Sequence, residues 1–279
     1  MIWILLACTG DPADTGEVID SGAGEITSYV VNWWTDPEPM IAQEGAEFYT
    51  QITDQGGNSI EDLQTNHERI VHNIFVSADL ESFTHTHMED FYTLTVDDLR
   101  NSTFHFPLTL PLSGSYLGIF DYAHENQWLK STDLIDVGGD VPQLSAVNQD
   151  FSTSRASGDL EVSITWDVAP IAGYESAFTV HVQTATGEDV TDLIQYLGAD
   201  AHMAVVAEDL SFASHTHAWF PGMEDMSPTM DMPHLNPGPD LPFHFTFGAA
   251  GTYKMWVQFV RESDPENVHA VPFMFVVSG

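Results

Sequence analysis

One stretch of sixteen residues constrains this chain more than any other. It runs from His72 to His87 as HNIFVSADLESFTHTH, and it returns 130 residues later, without a gap, from His202 to His217 as HMAVVAEDLSFASHTH. Each copy holds one histidine, a short apolar run, an Asp-Leu pair and a His-Thr-His triplet. The equivalence extends outward. Gly57, Asp62 and Leu63 return as Gly187, Asp192 and Leu193 at the same offset, and Gly114 and Tyr116 return as Gly251 and Tyr253 at an offset of 137. Self-similarity at a fixed period is the mark of a duplicated structural unit. A chain of 279 residues has room for two such units, each with its own core.

The runs rich in β-branched and aromatic residues are short and separated by turn signals. Ile26 to Trp34, Phe48 to Thr53, His72 to Ser77, His85 to Phe91, Phe104 to Leu110 and Tyr116 to Tyr122 read as strands. Pro37, Pro39, the Gln55-Gly56-Gly57-Asn58 run and Ser113-Gly114 punctuate them. Leu160 to Trp166 and Phe178 to Gln183 restart the same pattern. With no long helical period, the expectation is an all-β chain of two tandem immunoglobulin-like β-sandwich domains. The first covers residues 26–140 and the second 159–279, with a polar Gly/Ser-rich linker at 141–158.

Composition narrows the partners. There are 42 acidic residues against 6 basic ones, for a formal net charge of -36. Phosphate binding needs Lys and Arg, so nucleic acid is excluded as an expected partner, and an anionic lipid surface fails for the same reason. Such a charge keeps a protein soluble and self-repelling, and it also concentrates cations. The single cysteine, Cys8, allows no intrachain disulfide and no thiolate metal cluster. Its context, Leu5-Leu6-Ala7-Cys8, resembles a bacterial lipobox, in which the cysteine is lipidated. Residues 1–8 then read as a lipoprotein signal and 9–25 as an acidic, Gly-rich tether. The expected location is the bacterial cell envelope, held to a membrane through a lipid anchor.

Six of the thirteen histidines sit at matched positions of the two repeats. Alternate residues of a strand face the same way, so His85 and His87 present two imidazoles on one side. If Asp79-Leu80 centres a hairpin, His72 lies opposite His87 and all three share a face. His202, His215 and His217 repeat the arrangement. Three neutral imidazoles close together suit copper, zinc or nickel. A His-x-His pair on a strand is also often just two hydrogen-bonded or solvated histidines, and a duplication preserves it by descent alone. The remaining histidines carry less. His181 falls on a polar strand face, His105 and His244 occupy similar places before the last hairpin, and His67, His124 and His269 have no counterpart in the other copy. No protease, phosphate-loop or dinucleotide motif occurs.

Between His217 and His244 the second repeat carries about seven extra residues in a proline-rich loop. Met223, Met226, Met230, Met232 and His234 fall within it, beside Glu224, Asp225 and Asp231. Thioether suits Cu(I) and imidazole suits Cu(II) and zinc, so both on one domain favour copper over zinc. Methionines also fill hydrophobic gaps, which fits less well among these acids and prolines.

The motif H-x-φ-φ-V-x-x-D-L with its following H-x-H, carried by His72, Asp79, Leu80, His85, His87, Gly114 and Tyr116 and again by His202, Asp209, Leu210, His215, His217, Gly251 and Tyr253, resembles bacterial extracytoplasmic Ig-like copper-associated modules of the YtkA-like kind. The Met-rich loop is similar in kind to those of the CopC-like copper carriers, also β-sandwiches. Those families usually show His-x-His-Pro, where this chain has Met88 and Ala218. The resemblance implies a sandwich fold and copper as cargo. The expected function is sequestration or delivery of copper through both histidine triplets and the methionine loop, with binding that weakens as pH falls through about 6.5. Two rivals stand beside it. One is a metal-independent surface or adhesive module; the other is a metalloenzyme similar to Cu/Zn superoxide dismutase, for which no second-site pattern or general base is visible.

Overall fold

In each half, two short antiparallel sheets form because inward apolar residues alternate with outward polar ones. The computed structural model describes residues 29–218 and 236–279. In the first half, β1 (Val30–Asp36), β2 (Ala46–Thr53) and β5 (Thr103–Leu108) form one sheet in the order β1-β2-β5. Facing it are β3 (Val71–Ser77), β4 (Phe83–Thr86), β6 (Gly114–His124) and β7 (Gln127–Val137), in the order β4-β3-β6-β7. The second half repeats this. One sheet holds β8 (Ser154–Ser157), β9 (Leu160–Val168), β10 (Glu175–Thr184) and β14 (Asp240–Thr246). The other holds β12 (His202–Ala207), β13 (Ala213–His217), β15 (Gly251–Arg261) and β16 (Asp264–Val277), with the two-residue β11 (Leu193–Ile194) paired to the end of β15. Each half is an immunoglobulin-like sandwich, three strands against four in the first, with an extra edge strand on the three-stranded side in the second.

The repeated Gly-x-Tyr has a structural reason. Tyr116 and Tyr253 stand near the start of equivalent strands and are fully buried. The Tyr116 hydroxyl accepts from the Leu112 amide at 3.1 Å, and the Tyr253 hydroxyl donates to the Ala249 carbonyl at 2.9 Å. Each bond reaches back four residues, as in the tyrosine corner of immunoglobulin sandwiches. Aromatic rings fill both cores. Phe48, Phe75, Phe106 and Phe120 meet in the first, and Trp166, Phe178, Phe247 and Phe275 in the second.

Three local expectations are corrected. The strand expected to run from His85 to Phe91 stops at Thr86 and gives way to a 3-10 turn at Met88–Asp90. A helix, α1 (Val96–Asn101), and the edge strand β7 were not anticipated. The helix is too short to show a period and is set by a capping box between Thr95 and Asp98. β7 is mostly exposed and polar, which hid it. The segment expected as linker also contains β8, which pairs with β9. No helix among the described residues is long and apolar enough to cross a membrane.

The two sandwiches meet through the β4-β3-β6-β7 sheet of the first half and the five-stranded sheet of the second that holds β12, β13 and β15. Every residue of β3 and every residue of β12 is buried. One row of each strand, Val71 and Phe75 or Met203 and Val205, enters its own core. The other row, Ile74 and Val76 or Ala204 and Val206, joins a third apolar cluster with Leu117, Ile119, Ala213 and Trp256. Phe83 of the first half stacks on Trp256 of the second, with ring centroids 5.1 Å apart. Both lysines of the chain cap this contact: Lys254 donates to the Leu80 carbonyl and Lys130 to the Ala213 carbonyl.

Candidate metal centre

The histidines occupy one end of this inter-sandwich contact, in the same strand rows as the apolar cluster. The hairpin that brings them together turns at Leu80 in one copy and Leu210 in the other, with left-handed φ of 58° and 62°. The preceding aspartate holds each turn. Asp79 accepts from the Glu81 amide at 3.1 Å and Asp209 from the Ser211 amide at 3.0 Å. The resulting register pairs Asn73 with Thr86 and Ile74 with His85, and in the second copy pairs His202 directly with His217.

In the first copy three ring nitrogens converge. His72 Nδ1 lies 3.2 Å from His85 Nε2, and His87 Nε2 lies 3.0 Å from each of them. The opposite nitrogen of every ring faces an acceptor. His72 Nε2 meets the Asn66 carbonyl at 3.0 Å, His85 Nδ1 meets the Gln258 side-chain oxygen at 2.7 Å, and His87 Nδ1 meets the Asp90 carboxylate at 3.0 Å. An acceptor can only be satisfied by N–H, so each neutral ring places its proton outward. Three lone pairs are then left pointing at one another with no proton between them. That is repulsive unless a cation sits among them. Nitrogens bound to one ion at about 2.0–2.1 Å and roughly 100° apart stand about 3.1–3.2 Å from each other, close to the spacing observed. Outward N–H bonds to carbonyl and carboxylate are also how metal-ligating histidines are usually oriented.

The second copy builds most of the same arrangement. His202 Nδ1 lies 3.1 Å from His215 Nε2; His202 Nε2 donates to the Tyr196 carbonyl at 2.8 Å and His215 Nδ1 to the Asp121 carboxylate at 2.9 Å. The outer partners obey the repeat. Asn66 and Tyr196 are 130 residues apart, and Asp121 and Gln258 are 137 apart. Asp121 and Gln258 each orient the His-x-His of the opposite sandwich, His215 and His85 respectively. Each triplet is therefore completed only when the two halves are docked. His217 departs from the pattern, since among the described residues neither of its ring nitrogens has a hydrogen-bond partner.

The two triplets adjoin. His215 lies 4.9 Å from His72 and 5.1 Å from His85 between ring centroids. Ligand nitrogens of His72, His85 and His215 fall within 4.8 Å of one another, as do those of His202, His215 and His217. Burial dominates the electrostatics. It holds His72, His85, His202 and His217 well below the ordinary histidine pKa, with the neighbouring imidazoles adding to the effect. Burial also lowers His87, against the Asp90 hydrogen bond and charge, which favour its protonation. Neutral imidazole is the form that can ligate a metal, and burial keeps these rings in it to more acid pH than solvated histidines would be.

The other histidines are placed elsewhere, with one exception. His105 bonds Glu47, His124 bonds Asp62, His181 bonds Asp240 and His269 bonds Ser157. His244 stands 3.3 Å from Glu175. The exception is His67, which packs against His217 at 3.7 Å between ring centroids. The sequence offered no pairing signal for it, because Leu197 holds the equivalent position. Met223, Met226, Met230, Met232, His234 and Cys8 lie outside the described residues.

Residues 155–279 match the model of a domain family described as a domain of unknown function (DUF8832). No curated protein matches the chain in sequence. Among solved structures, the chain is similar to the Yersinia pseudotuberculosis adhesin InvE, at 12% identity and TM-score 0.25, covering 91% of this chain and 61% of that one. It is also similar to the Escherichia coli adhesin FdeC, at 13% identity and TM-score 0.26, covering 89% of this chain and 64% of that one. The native Escherichia coli alpha-2-macroglobulin aligns at 10% identity and TM-score 0.27, covering 95% of this chain and 15% of that one. The chain thus spans less than two thirds of the length of each of these structures.

Proposed function

We propose that this chain binds copper, with zinc as the alternative metal, in the histidine cluster between its two sandwiches, and that it sequesters or delivers the ion. The observation that carries the reading is the convergence of His72, His85 and His87 through lone pairs whose opposite nitrogens are already used as donors. Holding the metal fits the geometry better than turning over a substrate. His72 and His202 are 0 % exposed, so a substrate would have to part the two sheets to reach an ion there. The Met-rich loop adds a soft ligand set for Cu(I). The lipobox-like context of Cys8 supports a location in the cell envelope, with a lipid anchor.

The test is metal analysis of the full chain after chelation, reloading with Cu(II), Cu(I) or Zn(II), and desalting at pH 7.5. Retention of copper that falls in the His85→Ala/His87→Ala variant supports the reading. The second reading, a metal-independent surface or adhesive module, is favoured by the tandem-sandwich build. Unchanged metal content in that variant, or no retained metal in the parent chain, would decide for it.

A further inference from the structure

The repeats account for two triplets but not for His67. The residue is 5 % exposed, and among the described residues neither ring nitrogen makes a hydrogen bond of good geometry, although the Gly198 backbone favours its protonated form. The ring beside it, His217, is in the same condition. Two adjacent buried imidazoles whose nitrogens lack good hydrogen bonds are costly, since an unsatisfied buried polar group costs about 1–3 kcal/mol. A shared cation would take one lone pair from each ring. His67 also sits in a left-handed conformation, φ 46°, on the bend that feeds β3. In the other repeat the equivalent bend carries Leu197, at φ 50°. The backbone is the same and only the side chain differs, so the imidazole is not needed to make the bend. Its ring also lies 6.1 Å from His202 between centroids, on the second triplet's side of the cluster.

We propose that the seven histidines form one dinuclear metal centre. The first ion is held by His72, His85 and His87, and the second by His202, His215 and His217 with His67 as its additional ligand. The inference rests on the metal-binding reading above and deepens it. His215 is what ties the two sites together, because its ligand nitrogen lies within 4.8 Å of those of His72 and His85 as well as those of its own triplet. The triplets adjoin closely, with His215 only 4.9 Å from His72 between ring centroids, as a two-metal site requires. Each sandwich contributes to both ions: His67 crosses from the first half to the second ion, while Gln258 and Asp121 orient the opposite triplets. The two sites are unequal, with three imidazoles on one side and four on the other.

The experiment is electron paramagnetic resonance of the full chain loaded with one and then two equivalents of Cu(II), with total copper measured in parallel. The expected result is two bound coppers whose doubly loaded spectrum integrates to well below the copper content, or shows a half-field resonance, while one equivalent gives an isolated-ion signal. His67→Leu installs the residue the other repeat already carries at this bend. It is expected to weaken the second equivalent at least tenfold, leave the first in place and restore an isolated-ion spectrum. Two coppers that integrate fully as independent spins would overturn the dinuclear centre. So would a single bound copper in the parent chain, which means one ion collects ligands from both triplets. Two tightly bound, coupled coppers in the His67→Leu protein would remove His67 from the ligand set. If the parent chain binds no metal, the functional reading fails as well, which separates that failure from the others.

Discussion

Acidifying the metal-free protein should pull the two sandwiches apart, and the size of the effect follows from burial. Six histidines, His67, His72, His85, His87, His202 and His217, have pKa values lowered in the folded chain. For His67 the value is about 3, set by burial first, then by the charge of His215, with the Gly198 backbone opposing. In the unfolded or undocked chain these rings titrate near 6.5. Above that pH both states are neutral, and stability does not depend on these groups. Below it, the open state takes up protons that the docked state refuses. Each such ring then costs about 1.4 kcal/mol per pH unit until its folded pKa is reached. Six rings give an upper bound of about 8 kcal/mol per unit, and half of that over little more than one unit reaches the lower end of ordinary domain stability, about 5 kcal/mol.

The window between pH 7.5 and 5.5 isolates this effect, because unperturbed carboxylates titrate near 4 and stay charged. The assay is urea denaturation of chelated protein across that window, read by tryptophan fluorescence, with Trp256 in the contact itself. The midpoint should hold steady from pH 7.5 to about 6.5 and fall steeply below. Added metal should move the fall to lower pH, since it binds only the neutral rings. A midpoint that is flat through pH 5.5 in the metal-free protein would refute the account of the cluster as buried and neutral.

Further outcomes are expected from single changes. Asp121→Asn removes the carboxylate that orients His215, and should weaken metal at the second triplet by about 10–100-fold while leaving the first, as read by competition with a chelator. Trp256→Ala empties a buried position stacked on Phe83, and should cost about 3–5 kcal/mol and split one unfolding transition into two in calorimetry. Replacing Met223, Met226, Met230 and Met232 together by Ala should abolish extra Cu(I) bound under reducing conditions without changing Cu(II) stoichiometry.

How much of this was legible in the sequence depends on whether one residue or two sheets had to be placed. The repeat, the sandwich and the shared face of His72, His85 and His87 follow from period-2 geometry and a turn, which are local. The docking of the halves is not local, yet it left a trace. β12 reads as an unbroken apolar run after its histidine, and β3 carries the apolar run Ile74 to Val76 after His72 and Asn73, where a strand with one wet face would alternate. Leu117, Ile119, Lys254 and Trp256 on β6 and β15 carry the same message, because they fall on the row opposite each strand's own core. A histidine at the end of such a row must face another protein surface, and the only duplicated surface of that kind is its own repeat. Asp121 and Gln258 were visible as polar residues in otherwise apolar rows, but their partners lie across the contact, 94 and 173 residues away. His67 had no sequence signal except its failure to match Leu197. In a duplicated chain, the positions that break the repeat inside a buried contact are therefore as informative as those that keep it. They show where two similar halves have diverged, as where His67 packs on His217 and the other copy carries Leu197.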